Sequence, residues 1–396
     1  VRRLRGGLLA AAVGAIGLAP ALAGSWSFQP GGEFSERYDT NVALDATDAS
    51  GAFITRFGAG LPLAWEGERS RFDLAYRFGY DAYVDNRELN NLSQYASLGW
   101  GLEDERNRGS VYASWGRTEN PRLGATEEAE ASPTPGADPG FQVVRTRTDY
   151  WLLSTGYGRS FSRAWGFSAR LDGSAARYED PALADNESYS LVLGADHRAS
   201  VWNAWNLGLR YSLFDSQDFP TAVFSAVQGG ATHQITRRLS ASWLLGVVLK
   251  QDQAIRGDTV ELGGVLSGTD RLYGDAGFAG EYRRSRWNVG YNREFTSGSG
   301  VRVAVRRDSF SAGAGWDVGR ADGIGVSVSL ARSRGVELDL DTRVLELNYS
   351  RPIAGGWSAQ LAAQVVDQAA DSDGGPGTYR EEVYSVLFRY AGQRRT

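Results

Sequence analysis

The stretch RFDLAYRFGYDAYV, residues 71–84, decides the fold. Phe72, Leu74, Tyr76, Phe78, Tyr80 and Ala82 share one face of an extended chain. Asp73, Ala75, Arg77, Gly79, Asp81 and Tyr83 share the other, so every charge falls on one side, as alternation in a strand demands. The pattern recurs along the chain. Trp165, Phe167, Ala169 and Leu171 oppose Gly166, Ser168, Arg170 and Asp172, and Trp205, Leu207, Leu209, Tyr211 and Leu213 oppose Asn206, Gly208, Arg210 and Ser212. Phe278 and Tyr282 oppose Asp275 and Glu281, and Tyr384, Val386, Phe388 and Tyr390 oppose Ser385, Leu387 and Arg389.

A soluble sandwich also alternates. These runs, however, reach about ten residues or more, longer than the roughly 5–6 of soluble sheets, and Trp and Tyr mark the ends of the apolar face. A transmembrane barrel explains both, with lipid outside and water inside. A charge on the lipid face at the midplane costs roughly 2–4 kcal/mol, hence the one-sided placement. The expected fold is all-β: a transmembrane antiparallel up-and-down β-barrel of a bacterial outer membrane.

Short polar turns fall near 66–70, 103–108, 158–164, 198–204, 236–239, 283–286, 318–322 and 350–356. Between them lie longer acidic or Gly/Pro-rich segments, among them 39–51, 119–142, 251–268 and 367–379. Short turns on one side and long loops on the other are the asymmetry of outer-membrane barrels, the short turns being periplasmic. Eight such turns, with both chain ends on the same side, predict about 18 strands. A count of about 16 would follow if one hairpin were lost around 143–164 or 288–305, where alternation is weakest.

The tryptophans give an independent check. Trp65, Trp100, Trp165, Trp205, Trp243, Trp287, Trp316 and Trp357 lie close to the proposed turns, as does Trp202, while Trp115 and Trp151 fall elsewhere. Indoles favour the membrane interface, so these eight are expected to form an aromatic girdle. The turns are also rich in arginine, for example Arg69, Arg106, Arg237, Arg238, Arg283 and Arg284.

Composition narrows the function. The 396 residues carry 12 Trp, 18 Tyr and 50 Gly, no Cys, no Met and only two His, with a net charge of −5. Without Cys there is no disulfide framework, thiolate zinc site or Cys nucleophile. Two histidines argue against a multi-histidine metal centre, and an acidic balance argues against nucleic acid as a partner. The opening VRRLRGGLLAAAVGAIGLAPALA has a basic region (Arg2, Arg3, Arg5), an apolar core (Leu8 to Leu18) and a small-residue cleavage site (Ala21, Leu22, Ala23). Residues 1–23 therefore read as a signal peptide, with residues 24–396 as the barrel.

Three segments resemble the β-barrel porin type 2 family of outer-membrane proteins: RYDTNVAL at 37–44, FITRFGAGLPLAWEGERSRFDLAYRFGYDAYV at 53–84 and NRELNNLSQYASLGW at 86–100. The resemblance covers the N-terminal third and implies an outer-membrane barrel. Some relatives are associated with exopolysaccharide export, and the family supplies no catalytic motif. At the C-terminus the aromatic signal of Phe388 and Tyr390 is followed by AGQRRT, a departure from the usual barrel ending.

Chemistry is sparse. His197 and His233 flank short turns and read as girdle or turn residues, so no enzymatic activity is expected. Asp45 with Asp48 and Asp371 with Asp373 lack the ligand spacing of a calcium loop, and GGVLSG at 263–268 lacks the context of a phosphate cradle. No cofactor or metal is implied. What remains is the lumen. Its expected lining is Arg56, Asp73, Arg77, Asp81, Arg170, Asp172, Arg210, Asp275, Glu281, Glu346 and Arg389, with Tyr83, Tyr112 and Tyr273 as its aromatics. Cross-strand salt bridges would also account for many of these charges.

Loop 119–142, with Glu127, Glu128, Glu130 and Asp138, is the candidate constriction. The expected function is a passive channel for polar solutes. The alternatives are an exopolysaccharide export conduit and a plugged structural or adhesive barrel. The expected partners are outer-membrane lipid and the barrel assembly machinery, with periplasmic export partners for a conduit; the barrel is monomeric or a homo-oligomer.

Overall fold

Alternating sequence becomes long antiparallel strands because each backbone amide can be satisfied only by a neighbouring strand when the outer face meets lipid. The computed structural model describes residues 24–42, 50–118, 146–181, 185–216, 221–254, 259–260, 271–297, 304–318, 322–334, 339–371 and 379–391. The leader 1–23, loop 119–142, the GGVLSG run, the Asp45/Asp48 and Asp371/Asp373 side chains and the last five residues lie outside this description.

The strands are β1 (Gly24–Phe28), β2 (Gly31–Asp39), β3 (Ala52–Gly67), β4 (Ser70–Tyr83), β5 (Asn91–Glu103), β6 (Asn107–Thr118), β7 (Thr148–Ser160), β8 (Trp165–Tyr178), β9 (Asn186–Arg198) and β10 (Asn203–Ser216). They continue with β11 (Thr221–Thr236), β12 (Leu239–Ala254), β13 (Thr259–Val260), β14 (Leu272–Tyr282), β15 (Ser285–Ser297), β16 (Ala304–Asp317), β17 (Gly323–Arg334), β18 (Asp339–Pro352), β19 (Trp357–Asp371) and β20 (Tyr379–Ala391). β1 and β2 are two pieces of one stave: both pair with β3, and they part at Pro30, which has no N–H to donate. β13 is a short ribbon against the end of β12. The ring is therefore an 18-strand antiparallel barrel. It closes where β2 pairs with β20, from Gly31 opposite Ala391 to Asp39 opposite Val383.

All eight expected turns join the strands at one end, the end that also holds Gly24 and Ala391. Three are two-residue turns, at 68–69, 237–238 and 283–284. Arg283 takes φ 55° in the last of these, the left-handed conformation a tight hairpin demands. The suspect regions both form full staves, β7 and β15. Two boundaries need correction: residues 251–254 and 367–371, expected as loop, continue β12 and β19. The strands run past the apolar band.

Candidate channel lining

Register assigns the two faces. Phe57, Leu61, Leu74, Phe78, Leu207, Leu209, Leu245, Phe278, Leu347 and Leu361 are exposed on one face all round the ring. Such a surface is stable only against hydrocarbon. The charges predicted to line the lumen stand on the opposite face. That face is concave: a cavity of about 650 Å³ opens on it near the turns, lined by Gln234, Arg238, Ser240, Glu281, Arg286 and Asn288.

The girdle tryptophans need one correction. Trp100, Trp165, Trp205, Trp243, Trp287, Trp316 and Trp357 are exposed beside the turns. Trp65 is buried instead. Trp26, its cross-strand partner, lies over it with ring centroids 6.5 Å apart and takes the exposed place. The two outliers, Trp115 and Trp151, face each other across β6 and β7 at the long-connection end, and Arg117 and Arg177 stack over their rings. His197 packs on Trp165 with centroids 4.2 Å apart, and His233 hydrogen-bonds Asn203.

The inner charges divide into two groups. At the closing seam they form a ladder across four strands. Arg389 lies 4.0 Å from Glu33, Glu33 3.1 Å from Arg56, and Arg56 3.8 Å from Asp81. Gly79 sits beneath Arg56, where a Cβ would come within 2.8 Å of the guanidinium, so the side chain lies flat along the wall. Arg170 pairs with Asp172 at 2.9 Å, and Ser154 donates to the same carboxylate. Asp73 pairs with Arg71 at 2.8 Å. Among the described residues, no ion pair holds Arg77, Asp275, Glu281 or Glu346. Arg210 is placed over the ring of Tyr273, whose hydroxyl donates to Gln228 at 2.8 Å. Tyr112 bonds Tyr95, and Tyr83 is buried.

Glu33, the centre of the ladder, escapes the sequence pattern. It lies in a stave broken by Pro30, and its charge has meaning only once β20 closes against β2. Its alternation with Phe34 was the available signal. Burial also divides the inner wall. Arg37, Asp39, Ala52, Asp81, Asn91, Thr118, Thr148, Asn186, Ala222, Tyr273, Ser333, Leu340, Gln368 and Glu381 are buried. All lie on the inner face at the long-connection end, spread around the ring. Two apolar clusters reinforce this rim. One joins Val42, Ala52, Ile54 and Tyr83, and the other joins Ala222, Phe224, Ala226, Val248 and Tyr273. They stand on roughly opposite sides of the barrel. At the turn end the inner side chains of Arg170, Arg198, Thr232, Ser242, Glu281 and Asn288 are exposed. In one of the turns, Asp104 accepts hydrogen bonds from Asn107 and from the Arg106 amide, which hold its carboxyl down at about 2.

No known family matches the chain by sequence, and no curated protein matches it. Solved structures do. OpdK of Pseudomonas aeruginosa with vanillate aligns with a TM-score of 0.50 at 9% identity, covering 94% of this chain and 99% of that one. OccK2 (OpdF) of the same organism aligns at 0.49 and 10% identity, covering 93% and 98%. OccAB4 of Acinetobacter baumannii aligns at 0.48 and 9% identity, covering 94% and 98%. At such identity the likeness establishes a shared fold: a transmembrane β-barrel of the outer-membrane kind.

Proposed function

We propose that the protein is a passive, solute-selective channel of the bacterial outer membrane, with no chemical step. One observation carries this reading: a charged inner wall, exposed toward the turn end, that gives way to buried inner side chains at the far end. A barrel of this strand number leaves an aqueous lumen. Arg77, Asp275, Glu281 and Glu346, free of described ion pairs, are the lining charges left to meet a solute. The ladder residues Arg56, Asp81 and Arg389 stiffen the wall as well as line it. OpdK, the neighbour solved with vanillate, is in keeping with a small-solute role.

In this reading residues 1–23 are removed near Ala23 and the barrel assembly machinery inserts residues 24–396. The N-terminal third descends from a stock shared with the β-barrel porin type 2 family. The buried rim favours a second reading, a plugged structural barrel, over a wide export conduit for exopolysaccharide. Single-channel conductance of the mature protein in a planar bilayer tests all three. Steady openings support the channel. Silence from a folded, heat-modifiable barrel favours the plug. Openings that appear only with periplasmic partners favour the conduit.

A further inference from the structure

The outward face of the closing seam holds a carboxylate that the channel does not use. Glu36 has lipid-facing parity and stands between Val386 on β20 and Thr55 on β3. One row above it, register sets Tyr384, Tyr38 and Phe53 side by side. One row below, it sets Phe388, Phe34 and Phe57 side by side. Tyr38 meets Phe53 with ring centroids 4.8 Å apart, and Phe34 meets Phe57 at 5.2 Å, so each row packs into an aromatic wall. Between the walls Glu36 is exposed. The Thr55 hydroxyl donates to its carboxylate at 2.9 Å, and no described residue forms an ion pair with it.

That isolation sets Glu36 apart. Asp149, Asp308, Asp341, Asp367 and Glu382 are outward carboxylates near the same end, and each has an arginine beside it. The partners of Glu36 across both strands, Val386 and Thr55, are neutral. An ionised side chain turned to lipid is costly without a partner, and the negative faces of aromatic rings add to that cost. A cation relieves both. Rows two residues apart lie about 7 Å from each other. A cation is attracted to a ring within about 6 Å of its centroid, so one seated on the carboxylate comes within reach of both walls. One carboxylate and one hydroxyl supply too few oxygens for a metal ion, which leaves an organic ammonium. The occupant must also have an apolar part, because the exposed Phe57 and Leu61 continue the apolar band below. β2 ends at Asp39 on the long-connection side, which is external, so the frame opens near the outer head groups. Tyr38 and Tyr384 suit that depth.

We propose that Glu36, Thr55 and the two aromatic rows bind the ammonium head group of a membrane lipid. The proposal rests on the membrane placement but not on an open lumen. Native mass spectrometry of the mature barrel tests it, with phosphatidylethanolamine as the probe. The control is the same lipid with its amine acetylated, which keeps the chains and the phosphate and loses the cation. The wild-type barrel is expected to retain the free amine about tenfold better than the capped lipid. Glu36→Gln keeps the side-chain shape and is expected to abolish that preference. The double variant Phe53→Leu with Phe57→Leu keeps an apolar surface without ring faces, and its preference is expected to fall about threefold. Glu382→Gln removes an outward carboxylate that Arg380 already holds, and is expected to bind as wild type does. Heat-modifiable migration verifies folding. Should Glu36→Gln fail to fold, the phenylalanine variant and the capped lipid carry the test.

Equal retention of the free and capped lipids by the wild-type barrel overturns the proposal, as does an unchanged preference in folded Glu36→Gln. A barrel that self-associates without lipid, and loses that association as Glu36→Gln, places a cation of a second copy in the frame and also overturns it. Single-channel conductance of the same variants is expected to match wild type, which separates this test from that of the channel reading.

Discussion

The two ends of the inner wall are built from the same alternating strands and do opposite things with their polar groups. At the long-connection end the inward side chains are buried, and Ile54, Phe224, Val248 and Tyr273 pack among them. At the turn end they are exposed around an open concavity. The difference teaches that a barrel wall has no fixed character. An inward position is a core position at one end of a stave and a solvated one at the other, beside the short turns.

Chemical labelling should show the largest contrast. The protein has no native cysteine, so single cysteines report without background. Asn288→Cys should react rapidly with a water-soluble maleimide and Thr342→Cys slowly; comparable rates would erase the distinction between the ends. Phe224→Ala removes the ring packed on Phe214 at a centroid distance of 5.4 Å and should cost about 3–5 kcal/mol in denaturant unfolding. It should leave conductance no lower. Arg56→Ala removes the arginine beside the buried Asp81 and leaves Glu33 only Arg389, and should cost roughly 3 kcal/mol. Glu281→Gln at the turn end should change stability by less than about 0.5 kcal/mol while shifting ion selectivity, read as reversal potential.

The smallest effect lies in a turn. The Asp104 carboxyl is depressed to about 2, so its contribution is complete above the ordinary aspartate range. It is lost as pH falls through about 2. Amide shifts of Arg106 and Asn107 should titrate with that midpoint; a midpoint near 4 would show that the turn does not hold the carboxylate.

Much of this was legible in residue order. The eight turns are marked by charge and glycine between apolar runs, and alternation alone put Arg56, Asp81, Arg210 and Glu281 on the inner face. What escaped depends on partners distant in sequence. Trp65 reads as a girdle residue until β1 folds back and lays Trp26 over it. The buried rim has no local signature, because Thr118, Thr342 and Gln368 look like any lumen residue until something covers them. Asp308 and Arg332 break the rule that charges face inward. They lie beyond the apolar band, where the rule no longer applies.

The seam ladder has a consequence for assembly. Glu33 and Arg389 belong to the first and last staves, so their encounter completes the ring only after the whole chain between them is in place. Opposite charges at matching heights act as a key for that final zipping. A slip by one residue would turn over whichever of the two strands moved, sending Glu33 or Arg389 outward into hydrocarbon and Phe34 or Phe388 with its own strand into water. The cost of any wrong alignment is therefore concentrated at the one junction that local turns cannot specify.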